Sequence, residues 1–192
     1  METLKYEDFV RYLDRFFKSE DINTLLVRGY FYHDKLTTVL QYINYNKDLT
    51  SGIFVVGALS EVPRLFGPSF KSGKFHSVHQ GETYKIAGAN CEFLKEDINV
   101  DMAYGHSTDF CIFYPVESIL FDNNKTNRFV QQLKNSNAKK NIIITSNDYS
   151  TRAEQLYSEV DETVVLDMSS IHEEEFETIK SNFKREGREL PY

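Results

Sequence analysis

The chain has 192 residues, of which 41% are hydrophobic, 14% aromatic and 27% charged, a composition that excludes the disordered, collagen-like and disulfide-scaffold classes. A domain of this length buries about two thirds of the surface its unfolded chain exposes, so a packed core is expected. Against 22 Lys and Arg stand 29 Asp and Glu, a net charge of −7, which opposes unassisted coating of nucleic acid because neutralising phosphates takes clustered cations.

Within an opening segment, residues 1–21, Tyr6, Phe9, Val10, Leu13, Phe16 and Phe17 fall at helical spacing over 6–18 and predict an amphipathic helix with an aromatic face. A buried-strand pattern at 24–28 (TLLVR) is followed by a turn at 29–34 and a helix carrying Leu36, Val39, Leu40 and Ile43. A second strand is expected at 53–59 (IFVVGAL), then a loop from Gly67-Pro68 to Gly73. Residues 75–94 predict short strands about the turn Gln80-Gly81-Glu82, with 84–87 as one arm of an inserted hairpin. The runs FCIFY (110–114) and NIIIT (141–145) are apolar throughout, as strands covered on both faces are, and a helix over 126–134 between them turns Phe129, Val130 and Leu133 inward.

Thr151 and Glu154 have capping-box spacing for a helix with Ala153, Leu156, Tyr157 and Val160, which leads into a fifth strand, TVVL at 163–166. Ser170 and Glu173 repeat that spacing before a last helix with Phe176, Ile179 and Phe183, acidic at its start and basic at Lys184 and Arg185. This alternation predicts an α/β class: a mostly parallel five-stranded sheet with helices on both faces and an inserted β-hairpin, its core spanning 22–168 and a helical segment 169–192 following. Ligands of such sheets bind at the carboxyl ends of the strands, which directs attention to the segments after Arg28, Leu59, Tyr114 and Thr145.

The first of these, Gly29-Tyr-Phe-Tyr-His-Asp34-Lys35-Leu36-Thr37, stands between a strand and its helix and has the Gly-to-Lys separation of a phosphate-binding loop. Such a loop wraps phosphates with bare backbone N–H groups, a Lys, and a Ser or Thr hydroxyl on Mg²⁺. Here Asp34 takes the place of the second glycine and Leu36 that of the hydroxyl residue, so a carboxylate faces the cradle and no metal ligand follows the lysine. The apolar run 110–113 ends in Tyr114-Pro115-Val116-Glu117 where a metal-holding Asp and a water-orienting Glu would stand, and Glu117 is displaced by two positions.

Over residues 22–168 the order of segments resembles the P-loop NTPases, and among them the ATPase domains of helicases and of large terminase (DNA-packaging) subunits. Residues 27–38 look like an Arg-containing Walker A, 103–117 like the Gly-rich approach to Walker B, and 142–148 stand where the family has its Ser-Thr-Pro-like coupling motif. The resemblance implies a P-loop-like fold and an origin in DNA transactions such as replication, packaging or defence. The departures at Asp34, Leu36, Tyr114 and Pro115 turn the expectation toward a catalytically inactive binding or regulatory subunit with a protein partner, no catalytic residue, no metal and no cofactor.

Two other functions remain open at this point. In an unusual but active ATPase, Gly29 and Lys35 contact the phosphates of ATP, Thr37 or Thr38 reaches Mg²⁺, and Glu117 activates water. In a nucleic-acid-binding module, Lys71, Lys74, Arg128, Lys139 and Lys140 make the contacts, within a mid-chain basic set that also holds Lys125 and Lys134. Tyr30, Phe31 and Tyr32 are candidates for contact with a partner, or else fill the crevice a nucleotide would occupy. His76 and His79, three apart on an extended segment, project to opposite faces and read as surface residues rather than zinc ligands. No Glu-x-Lys, Asp-x-Lys or Gly-x-Ser-x-Gly occurs, which leaves nuclease and serine-hydrolase readings without support. A charged start and the lack of any span-length apolar run predict a cytoplasmic protein with no membrane partner.

Overall fold

The computed structural model describes residues 1–70, 73–96 and 107–192. In chain order the elements are β1 (Glu2–Lys5), α1 (Tyr6–Lys18), β2 (Thr24–Arg28), α2 (Asp34–Tyr45), β3 (Ser51–Val56), α3 (Val62–Phe66), β4 (Thr83–Ile86), β5 (Ala89–Lys95), β6 (Phe110–Phe113), α4 (Asn123–Lys134), β7 (Lys140–Ile144), β8 (Glu162–Asp167) and α5 (Glu173–Arg185). The strands form one sheet in the order β1-β8-β2-β7-β6-β3-β5-β4. Every neighbouring pair is parallel except β4 and β5.

The period-two pattern of the strands divides the interior into two layers. Leu25, Val27, Phe54, Ile112, Ile142 and Ile144 face the layer that holds Phe9 and Leu13 of α1, Leu36, Val39 and Ile43 of α2, and Ile179 and Phe183 of α5. Leu26, Val55, Cys111, Phe113 and Ile143 face the other, against Phe129 and Leu133 of α4 and Ala153 and Leu156. Because both sides are covered, the central strands carry apolar residues on both faces through their middles, at 25–27, 53–56, 110–113 and 142–144, which is why they are legible as continuous runs.

Over the described residues the sheet has eight strands where five and a two-armed hairpin were predicted, and the one addition, β1, lies at the edge, outside the apolar centre. β1 reads Glu-Thr-Leu-Lys, a polar edge strand whose register is set by pairing with β8 alone. The hairpin turns at Ala87-Gly88, both at positive φ, and not at Gln80-Gly81-Glu82. Its second arm, β5, pairs along six positions with β3, so it extends the parallel sheet instead of standing apart from it. Residues 152–156 form only a 3-10 turn with no side-chain cap, and α5 starts at Glu173 with His172 at its N-cap, so neither Thr151 nor Ser170 caps a helix. The capping carboxylate lies elsewhere: Asp122 accepts the N–H groups of Asn124 and Lys125 at the start of α4. Lys71, and residues 103–106 of the Gly-rich stretch before β6, lie outside the described residues.

Among the described residues no helix is long and apolar enough to cross a membrane.

Candidate functional site

After β2 the chain turns toward β3 through α2, and after β7 it turns toward β8 on the opposite face of the sheet. Neighbouring strands whose connections diverge in this way leave a crevice at their carboxyl ends, and here it lies between residues 29–33 and 145–151. Gly29 opens the turn with φ +152°, and a Cβ there would stand 2.8 Å from the Leu166 carbonyl oxygen, so the position is closed to a side chain. The turn thus has the tight entry of an anion-binding loop, and what fills the crevice decides whether it can act as one.

Lys35 fills its centre. The side chain is 1% exposed, and its ammonium donates to three main-chain carbonyls, those of Gly29, Phe31 and Ser146, each at 2.7 Å. An ammonium has three donors, and all three are taken. Burial lowers the Lys35 pKa to about 8, with the nearby carboxylates of Glu117, Asp148 and Asp34 opposing that shift. Asp34, at the start of α2, points its carboxylate at His172 Nε2, 2.8 Å away, where the charge also suits the helix dipole.

Beside Lys35 lies a second buried cation. Arg28 ends β2 at 0% exposure and is held by Asp148 through two hydrogen bonds, by the Tyr157 hydroxyl and by the Ser150 carbonyl. Burial works against its charge and Asp148 overrides that effect, so the guanidinium stays protonated. Glu117 anchors the loop after β7: its Oε1 accepts the Ser146 N–H, while its Oε2 is buried with no hydrogen-bond partner among the described residues. Burial raises the Glu117 pKa, and the N–H groups and Lys35 pull the other way.

The aromatic residues close the crevice. Tyr30 and Phe31 are 7% and 5% exposed and Tyr32 is half-buried, so the reading in which they fill the space describes the first two, and an exposed contact patch does not. Phe31 packs on His172 and Tyr114 on Tyr32. Tyr30 stacks on Tyr192 at 4.6 Å between ring centres and donates its hydroxyl hydrogen bond to the Tyr192 carbonyl. The part played by Tyr192 was missed in the sequence, where nothing local signals a contact 162 positions away.

The remaining expected groups are dispersed. Thr37 donates to the Ser69 hydroxyl at 2.9 Å, on the side of α2 toward α3, and Thr38 is buried. Of the basic set, Lys134 pairs with Glu159 and Lys139 with Asp109, and Lys140 is buried with its ammonium on the Ser19 and Ile22 carbonyls. His76 and His79 are exposed, and Cys91 is buried in β5. No group of three or more His, Cys, Asp or Glu able to hold a metal occurs among the described residues.

This arrangement does not fit a magnesium–triphosphate. The lysine that would meet the phosphates has no donor left, the α2 N-terminus carries a carboxylate, and the first hydroxyl after the lysine is turned to Ser69. What it does offer is the carboxyl end of two central strands, with its buried cations met by carboxylates and carbonyls and with an aromatic cover. No protein-family model, curated protein or solved structure matches the chain.

Proposed function

We propose that this is a P-loop-like α/β protein that has exchanged ATP hydrolysis for binding, and that it serves as a contact or regulatory subunit of a protein assembly. The DNA-transaction setting comes from the resemblance to helicase and terminase ATPase domains. The observation that carries the reading is Lys35. Its ammonium spends all its hydrogen bonds on the carbonyls of Gly29, Phe31 and Ser146, so binding a phosphate would require breaking bonds that close the loop. The order of the sheet supports it too: β2 is central, flanked by β8 and β7, and feeds the turn that leads into α2, which carries Lys35 in its first turn.

The test is a calorimetric titration of magnesium–ATP into the wild-type chain and into Lys35→Ala. The expected result is no heat of binding in the micromolar range for either protein. Micromolar binding by the wild type that Lys35→Ala abolishes would contradict the proposal and favour the active-ATPase alternative.

A further inference from the structure

Residues 188–192 follow α5 as an extended strap and lie over the crevice. The strap leaves the helix through a Schellman turn, in which Arg188 N–H reaches the Phe183 carbonyl, Gly187 N–H reaches the Lys184 carbonyl, and Gly187 has φ +64°. Beyond that turn it pairs with no strand among the described residues. Its main chain is held at Tyr192, whose carbonyl and N–H both meet the Tyr30 hydroxyl. Arg188 adds a bond to the Tyr149 carbonyl at 3.0 Å.

The Tyr192 ring enters a formed slot. It stacks on Tyr30, lies 4.8 Å from the Arg28 guanidinium, and carries its hydroxyl toward the Asp148 carbonyl at 3.5 Å. The walls of this slot also hold one another. Arg28 is fixed by Asp148, Tyr157 and Ser150, Lys35 ties Gly29 to Ser146, and Tyr30 packs on Phe176 and Tyr149. An aromatic ring bound between a guanidinium and a second aromatic, in walls that are bonded among themselves, is the geometry of an interface anchor.

We infer that this slot is a docking site for an extended segment of a partner protein that presents a tyrosine four residues after an arginine, and that residues 188–192 occupy it in cis. The arginine of such a segment takes the Tyr149 carbonyl and the tyrosine takes the place between Tyr30 and Arg28, as Arg188 and Tyr192 do. The cis segment then acts as a competitor, because a tethered occupant is present at high effective concentration. This inference rests on the binding role proposed above and specifies the partner's chemistry.

The test uses the peptide Arg-Glu-Leu-Pro-Tyr, amidated so that it presents only the chemistry of residues 188–192, and a second peptide ending in Ala. Both are titrated by calorimetry into the full wild-type chain and into full-length Tyr192→Ala. The expected result is binding of the tyrosine peptide to Tyr192→Ala at least tenfold tighter than to the wild type, with the alanine peptide inert. Equal binding of the two peptides, or none by the tyrosine peptide to a folded Tyr192→Ala, overturns the inference. Should Tyr192→Ala not fold, the tyrosine peptide is added in millimolar excess to the wild type and the Tyr30 and Tyr192 amides are followed by NMR. Shifted amides support displacement of the strap, and unmoved ones overturn it. Magnesium–ATP binding to the wild type would refute the closed-crevice reading on its own, whereas a failed peptide titration leaves that reading standing.

Discussion

The residue on which the account turns is Lys35, because one position supports opposite readings with different energetic consequences. If its ammonium serves a ligand, removing it costs activity and leaves the fold intact. If it ties three carbonyls together, removing it orphans them in a buried site, at roughly 1 to 3 kcal/mol for each polar group left unsatisfied. We therefore predict that Lys35→Met lowers unfolding stability by about 3 kcal/mol in urea denaturation at pH 7. An unchanged midpoint would show that the ammonium does not hold the loop. The pH dependence has a definite sign. Burial brings the folded pKa down to about 8 from an ordinary 10.5, so between those values the unfolded chain keeps a proton that the folded chain has released. Unfolding then takes up a proton, and stability rises with pH across that window. Measured against Lys35→Met, the wild type should gain stability between pH 8 and 10, and a flat difference would contradict the assigned burial. Whether Lys35 was structural could not be read from the sequence. The Gly-to-Lys spacing is the same in either case, and the deciding carbonyl of Ser146 is 111 positions away.

At the scale of elements, legibility followed burial. The five central strands and the helices α1, α2, α4 and α5 emerged from apolar periodicity because each is packed on a face that the period records. β1 did not, since an edge strand of Glu-Thr-Leu-Lys has almost no buried face to leave a trace. The hairpin turn was misplaced because Gly81 is a turn signal in its own right, while the true turn puts an alanine, Ala87, at φ +49°. The capping boxes failed for another reason: the spacing occurs at Thr151 and Ser170, yet neither side chain makes the bond, and the acidic first turn of α5 follows His172, which is engaged with Asp34. A thermal-melt comparison checks this. Asp122→Ala should destabilise by about 1 kcal/mol through loss of a real cap, whereas Ser170→Ala should stay within about 0.5 kcal/mol. Equal losses at the two sites would overturn the assignment of the caps.

For the whole molecule, the divergence of the chain after β2 and β7 creates the place where an α/β protein binds, and this chain closes it from within. Two buried cations meet carboxylates and carbonyls, the loop aromatics turn inward, and the strap after α5 lays Tyr192 across the opening. The mostly parallel sheet and the position of the turn were readable from the alternation of strands and helices; the order of the strands and the parts that Lys35, Arg28 and Tyr192 play in the closure were not, because they are made by contacts between segments far apart in sequence. The most direct measurement is a crystal structure of the full chain grown with millimolar magnesium–ATP. The account predicts Lys35 Nζ still on the carbonyls of Gly29, Phe31 and Ser146, with Tyr192 against Tyr30. Density for a triphosphate beside a reoriented Lys35 would contradict it.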